Sequence, residues 1–84
     1  MNIDLELYKF FYAVAKNKNM TKASEELHIS QPAISQSIKK LEEQLGGTLF
    51  LRSNKGMELT EEGKMFFDYV KGALELINNA ENEF

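Results

Sequence analysis

Residues 20–39, MTKASEELHISQPAISQSIK, contain two short helical patterns joined by a tight bend. Ala23 and Leu27 are four residues apart, so they fall on one face of the first helix. Thr21 is a candidate N-cap for that helix, because a threonine oxygen can accept an N–H of the first turn. Residues 28–30, His-Ile-Ser, are predicted to form the bend. The stretch therefore predicts a helix-turn-helix.

The second helix of this stretch has two different faces. Ser30 is of a capping residue type, and Pro32 lies in the first turn, where its missing N–H costs nothing. The apolar side chains step by four, three and four residues and form one stripe: Ile34, Ile38, Leu41 and Leu45. The opposite face carries Pro32, Ser35, Gln36, Lys39 and Glu43. Slim polar groups near a helix start, followed by a cation, suit a helix that enters the major groove of DNA.

This pattern resembles the signature of LysR-type transcriptional regulators, in detail over residues 3–60 and in general character over 61–84. The matching positions are Thr21-Lys22-Ala23, the run from Leu27 to Ser35, Ile38, Leu41-Glu42, Leu45-Gly46, Leu49-Phe50, Arg52, Leu59-Thr60 and Gly63. The resemblance implies a mainly α protein with a small β-hairpin. It would be a winged helix-turn-helix over residues 1–59, followed by a linker helix over 60–84. The implied function is non-catalytic, sequence-specific binding of a double-stranded DNA operator.

The resemblance also implies which residues contact DNA. The base-facing set is Pro32, Ser35 and Gln36, together with Gln31, for which contact with bases and contact with phosphate are both open at the helix entrance. The backbone set is Thr21, Lys22, Ser30, Lys39, Lys40, Arg52, Asn54 and Lys55. Capping alone would explain Thr21 and Ser30, and an exposed lysine often serves only solubility. Many members of the family carry arginine where this chain has Gln36. Glutamine pairs more naturally with adenine than with guanine, so this departure bears on the base preference.

Residues 4–17 are predicted to form the first helix, with apolar side chains at spacings of three and four. Asp4 or Asn2 is available to cap it. Phe10, Phe11 and Tyr12 are interpreted as core residues rather than base-stacking ones, because duplex DNA offers no splayed bases.

Residues 48–59, called the wing below, are predicted to form a short hairpin. Residues 48–52 and 57–59 favour strands, and residues 53–56, Ser-Asn-Lys-Gly, are turn formers. Two strands alone are marginally stable, so the wing should lean on the helices through Leu49, Phe50 and Leu59. In winged helices the tip lies against the minor groove or the flanking phosphates, and the resemblance implies the same here. Leu51 is unusual, because relatives often have a charged residue at that position.

Residues 60–84 are predicted to form one long helix, capped by Thr60 and with acidic residues in its first turn. Its apolar residues repeat by four and three in a seam made of Phe66, Val70, Ala73, Ile77, Ala80 and Phe84. An 84-residue domain cannot cover such a helix with itself, so we expect some of this surface to meet another chain. In the family this helix pairs with its twin, which implies a homodimer, with a higher oligomer possible at full length.

Composition bounds the remaining functions. The 84 residues are one small domain, have no cysteine, and contain no apolar run long enough to span a membrane. The acidic start lacks the features of a signal peptide, so a cytoplasmic location is expected. The net charge of −3 is unevenly distributed: residues 1–59 hold eight of the ten cations and seven of the thirteen acids. Residues 1–59, called the head below, therefore have a net charge of +1 and residues 60–84 a net charge of −4, and the head has cations near its predicted DNA face.

Two alternatives remain beside a LysR-type DNA-binding domain. One is the winged helix of another regulator, such as the molybdate-responsive regulators, and the other is a winged helix used for protein–protein contact. An enzyme is disfavoured, because no nucleophile–base–acid constellation or phosphate loop is present. His28, the only histidine, has no second ligand residue nearby in sequence, so no metal is expected. The effector domain of the family is missing from these residues. A fragment of a longer regulator, whose other domain binds a small-molecule effector, is therefore expected.

Overall fold

The computed structural model describes residues 2–84 and has four helices and one two-stranded antiparallel sheet in that range. This confirms the prediction of a mainly α winged helix-turn-helix with a long last helix. The elements are α1 Leu5–Asn17, α2 Met20–Leu27, α3 Gln31–Leu45, β1 Phe50–Ser53, β2 Gly56–Leu59 and α4 Glu61–Asn82.

Three of the predicted helix caps are confirmed. The Asp4 carboxylate accepts the Glu6 N–H at 3.0 Å, the Ser30 hydroxyl accepts the Ala33 N–H at 3.3 Å, and the Thr60 hydroxyl accepts the Gly63 N–H at 2.9 Å. Each bond satisfies one of the N–H groups that a helix start leaves unpaired.

The cap predicted for α2 is wrong. This helix begins at Met20, and the Asn19 side chain accepts the Lys22 N–H at 2.9 Å. Thr21 is the second residue of the helix, whereas an N-cap is the residue that immediately precedes the first helical one. Asn19 and Thr21 are both capping residue types, and the extended backbone of Asn19 decides between them.

The bend between α2 and α3 lies where it is predicted. His28 ends α2 with a left-handed backbone at φ 57°, and the Ile29 N–H donates to the Ser24 carbonyl at 3.2 Å. The Ser24 hydroxyl donates back to the Ile29 carbonyl, which fixes the angle between the two helices. The His28 side chain is exposed.

The core lies where α1 crosses the other helices and the hairpin. Phe11 is fully buried, and its ring centroid lies 5.4 Å from that of Phe50 and 5.3 Å from that of Phe66. Tyr12 stacks on Phe67 at 5.5 Å. These contacts agree with the interpretation of Phe11 and Tyr12 as core residues, whereas Phe10 is half-buried and, within residues 2–84, does not pack against the core cluster.

The strands reach further toward the tip than predicted, and β1 begins at Phe50, so Thr48 and Leu49 precede the strand that is predicted to include them. Phe50 pairs with Leu59 and Ser53 pairs with Gly56, which leaves a two-residue turn of Asn54 and Lys55. Leu49 and Phe50 are buried and Leu59 is half-buried, so the wing leans on the helices as expected.

The wing is also attached to the loop between α1 and α2. The Met57 N–H donates to the Lys18 carbonyl at 3.2 Å. Gly56 has φ +109°, and a Cβ there would lie 2.5 Å from the same Lys18 oxygen. Only glycine fits this combination of backbone angle and close approach.

The first two residues of the seam predicted along α4, Phe66 and Val70, are not available to another chain, because they pack within their own domain. Val70 is only 6% exposed and packs into the core of its own chain, and Phe66 packs half-buried against Tyr8 and Phe11. Ala73, Ile77 and Ala80, the later seam residues on the helix, are exposed. Phe84 is exposed too but lies beyond Asn82, where α4 ends, so the helix is shorter than the predicted 60–84. The first turns of α4 therefore complete the head, and the later turns project from it.

No helix within residues 2–84 is both long and apolar enough to cross a membrane. The same residues contain no cluster of three or more histidine, cysteine or acidic side chains that could hold a metal ion.

Candidate nucleic-acid interface

The two faces of α3 separate as predicted. Ile34, Ile38 and Leu41 are buried against α1 and α2. On the other side, Gln31, Pro32 and Gln36 are exposed and Ser35 is half-buried. The whole base-facing set therefore lies on one accessible rim at the start of the helix, and the isoleucines behind that rim anchor it to the core.

The rim is tied to the preceding helix by a side-chain hydrogen bond. The Gln31 amide nitrogen donates to the Thr21 hydroxyl oxygen at 3.1 Å, across the bend of the helix-turn-helix. The Gln31 carboxamide oxygen and the second hydrogen of its amide group are left for another partner. Thr21 thus orients Gln31 instead of capping α2.

The starts of α2 and α3 and the wing line one open groove of about 800 Å³. Thr21 and Ser24 line it from α2, Gln31, Pro32 and Ser35 from α3, and Arg52 and Met57 from the wing. The sequence predicts Arg52 as a contact residue but not its position opposite the start of α3. Its side chain is exposed and lines the groove from β1, where Arg52 pairs with Met57 across the hairpin.

Not every predicted contact residue lies in this groove. Gln36 and Lys40 are exposed on α3, four residues apart, so they share a neighbouring stripe of the helix outside the groove lining. Lys55 at the wing tip lines a different groove of about 480 Å³, which it shares with Lys18 and Lys64. The contact residues predicted from the resemblance therefore spread over the helix rim, the α2 start and the wing tip.

The cations predicted to contact phosphates form no ion pairs within residues 2–84. Within residues 2–84 the ion pairs use Lys9, Lys16 and Lys64, at N–O distances of 3.9, 3.1 and 3.6 Å. None of the predicted contact cations takes part in them: these are Lys22, Lys39, Lys40, Arg52 and Lys55. Their charges are therefore available to an anionic partner. All five are also exposed.

Some residues of the site are missed by sequence reasoning. Asn19 and Met20 line the large groove, and Lys18 lies beside the wing tip. Composition marks Lys18 and Asn19 only as loop residues, and no local pattern places a loop next to a hairpin that is more than thirty residues away. Glu42 of α3 is also missed: its carboxylate accepts the Leu49 N–H at the base of the wing.

Comparison with known proteins gives a consistent family match. Residues 5–64 match the family described as "Bacterial regulatory helix-turn-helix protein, lysR family". The chain is 46% identical over 66 residues to the HTH-type transcriptional regulator BudR of Klebsiella aerogenes, which covers 79% of this chain and 46% of that protein. It is 42% identical over 71 residues to the RuBisCO operon transcriptional regulator of Allochromatium vinosum, which covers 84% of this chain and 24% of that protein. The chain thus spans less than half the length of these curated relatives.

Two solved structures of DNA complexes have the same fold over nearly the whole chain. The crystal structure of the CbnR_DBD-DNA complex superposes with a TM-score of 0.86 at 37% identity, covering 96% of this chain and 93% of that one. The crystal structure of the BenM_DBD/benA site 1 DNA complex superposes with a TM-score of 0.90 at 32% identity, covering 96% and 91%. The relatives described above are named as transcriptional regulators and not as enzymes, in agreement with the non-catalytic function predicted from the sequence.

Proposed function

This chain belongs to the lysR family of bacterial regulatory helix-turn-helix proteins, and on that premise we propose that it binds double-stranded DNA sequence-specifically as the reading head of a transcriptional regulator. Helix α3 enters the major groove, and the wing lies against the minor groove or the flanking phosphates. The family match also favours this reading over a winged helix of another regulator family. A bacterial regulator of this kind works in the cytoplasm, which is the location we propose.

The observation that carries the proposal is the exposed polar rim at the start of α3, beside the groove that it shares with Arg52. A helix of 15 residues is about 22 Å long and of a width that the major groove of B-DNA admits. Its reverse side is fixed by buried isoleucines, so the rim is presented in one orientation. Base edges are read by such side chains, whereas phosphate contacts set register and orientation.

We assign base contacts to the rim residues Gln31, Pro32, Ser35 and Gln36. Gln36 is the best placed for sequence discrimination, because a carboxamide can bond adenine N6 and N7 together. The backbone contacts fall to Thr21, Lys22, Ser30, Lys39, Lys40, Arg52, Asn54 and Lys55. Each lysine or arginine that neutralises a phosphate adds about 0.9 to the slope of log affinity against log salt.

A homodimer through α4 is the second part of the proposal. The helix has 22 residues and is therefore about 33 Å long, and its outer turns carry exposed apolar side chains. Ile77 is 42% exposed and Leu76 is 71% exposed. Exposed apolar surface of this kind favours association. The exposed part of the seam on α4, made of Ala73, Ile77 and Ala80, gives a twin helix a surface to pack on, and the exposed Phe84 follows the end of the helix.

The third part of the proposal concerns the protein beyond the matched region. The curated relatives extend well beyond the matched region, so we propose that this head works within a longer protein whose other domain binds a small-molecule effector. Two heads held by α4 would read an operator with two-fold related half-sites.

Selection from random duplexes, repeated at several salt concentrations, tests the proposal. We expect an enriched interrupted palindrome, together with binding to unrelated duplexes that weakens steeply with salt. Lys39→Ala should lower the salt slope by about one unit, whereas Lys71→Ala, an equal charge change on α4, should leave it unchanged. Enrichment of no sequence, with binding only to a protein partner, would refute the proposal.

A further inference from the structure

Helix α3 and the wing are separated along part of their length by an open groove of about 300 Å³. Ser35, Lys39 and Glu42 line it from α3, and Phe50, Arg52 and Met57 line it from the wing. A hairpin of two strands has little stability of its own. Something must therefore fix the angle between the wing and the helix if both are to meet one duplex in register.

The Glu42 side chain bridges this gap. Its Oε2 atom accepts the Leu49 N–H at 2.7 Å and the Phe50 N–H at 3.3 Å, at the point where β1 begins. Within residues 2–84 these are the direct hydrogen bonds that join α3 to the wing. Both are half-buried and charge-assisted, and bonds of that type are about twice as strong as bonds between neutral groups.

The same short segment is held from the opposite side by the start of α4. The Leu49 carbonyl accepts the Thr60 N–H at 2.9 Å, and the Thr60 hydroxyl donates to the Thr48 carbonyl at 2.6 Å. The peptide groups around Leu49 are thus bonded to α3 through their N–H groups and to α4 through their carbonyls. Loss of the Glu42 contact would leave the wing with no direct hydrogen bond to α3, while its bonds to the Lys18 carbonyl in the α1–α2 loop and to Thr60 at the start of α4 would remain.

We propose that Glu42 is a positioning residue that holds the wing at its DNA-contacting angle relative to α3. This inference rests on the proposed function. Glu42 is an acidic residue whose carboxylate is used by the Leu49 and Phe50 N–H groups, so we assign it no phosphate contact of its own. It acts through Arg52 and Lys55, whose reach to the phosphates depends on where the base of the wing is fixed.

The test compares Glu42→Ala with Glu43→Ala, which removes the same charge from an exposed neighbour that makes no such hydrogen bond. Removal of an acid next to DNA by itself favours binding, so Glu43→Ala should leave affinity equal or slightly higher. Glu42→Ala should instead weaken operator binding about tenfold and lower the salt slope by about one to two units, as the two wing cations lose their phosphates. Glu42→Gln keeps an acceptor oxygen and should recover most of the affinity.

A double-mutant cycle separates positioning from a general structural effect. Lys55→Ala should lower the salt slope by about one unit in the wild-type background and by less than half of that in Glu42→Ala. An equal effect of Lys55→Ala in both backgrounds would overturn the proposal.

Amide hydrogen exchange without DNA provides a second readout. The Leu49 and Phe50 amides should exchange at least about tenfold faster in Glu42→Ala than in Glu43→Ala, while buried amides of α1 keep their protection. Equal exchange rates at Leu49 and Phe50 would overturn the role of Glu42 whatever the DNA result. A wild-type chain that selects no duplex would instead overturn the proposed function, so the two failures are distinguishable.

Discussion

Gly63 in the first turn of α4 allows a sharp test of how the helix seats the wing. A Cβ at this position would overlap the Leu49 carbonyl oxygen and would lie 3.1 Å from both the Leu49 carbonyl carbon and Leu59 Cδ2. The Leu49 carbonyl is part of the backbone and is bonded to the Thr60 N–H, so it cannot swing aside as a side chain would. Gly63→Ala should therefore displace the base of the wing or the start of α4.

The expected magnitude follows from two opposing effects. Glycine to alanine within a helix ordinarily stabilises by about 0.5–1 kcal/mol, because the unfolded chain loses conformational freedom. Overpacking of a filled site costs about 1–3 kcal/mol. The net result for Gly63→Ala is a lower free energy of unfolding by about 1–2 kcal/mol, or roughly 4–15 °C in Tm for a domain of this size.

Gly72→Ala is a matched control in the same helix, because a Cβ there meets nothing within 4 Å. It should raise the free energy of unfolding by about 0.5–1 kcal/mol. Urea unfolding followed by far-ultraviolet circular dichroism, at one fixed protein concentration, would measure both variants. If Gly63→Ala proved as stable as Gly72→Ala, the close seating of α4 against Leu49 would be refuted.

Three further predictions concern base reading, helix capping and association. Gln36→Ala should weaken the free energy of binding to the selected operator by about 1–3 kcal/mol and relax discrimination at one base pair. Gln44→Ala on the same helix should change neither, and competition binding measures both variants. Asn19→Ala should lower the free energy of unfolding by about 1 kcal/mol through loss of the α2 cap, and an unchanged urea midpoint would contradict the assigned cap. Ile77→Glu should shift the chain toward monomer in sedimentation, while Asn79→Glu, an equal charge change off the seam, should not. If the two variants associated equally, the seam would not be the dimer contact.

Much of the helix-turn-helix is predictable from sequence because its signals are local and agree with one another. The apolar stripe from Ile34 to Leu45, the proline in the first turn and the glycine after the helix all point to the same helix. Gly46 indeed ends α3 with φ +79°, and its N–H donates to the Glu42 carbonyl at 2.8 Å.

The choice of the α2 cap could not be made locally. Asn19 and Thr21 are both capping types two residues apart, and periodicity fixes a helix start only to within a few residues. The Thr21 hydroxyl is used instead by Gln31, which lies ten residues away and on the next helix. Such a tertiary contact leaves no mark on the pattern of residues around Thr21.

The α4 seam exposes a different limit. A four-three repeat of apolar residues is the same whether the helix packs on its own domain or on a twin. Val70 follows the repeat and is nevertheless buried by its own chain, whereas Ile77 follows it and is exposed. The position of the head relative to the helix decides between the two, and that position is set by contacts of α1 with Phe66 and Phe67. Periodicity alone cannot contain this information.

The contact of Gly56 with the Lys18 carbonyl has a consequence for how this hairpin can be redesigned. Gly56 lies close to the Lys18 carbonyl and Met57 is hydrogen-bonded to it, so residues added at either position of β2 would collide with the α1–α2 loop. We expect insertions to be tolerated at the exposed turn, between Asn54 and Lys55. A few extra cationic residues grafted there would extend the protected stretch of operator outward, with the register of the reading helix left as it is.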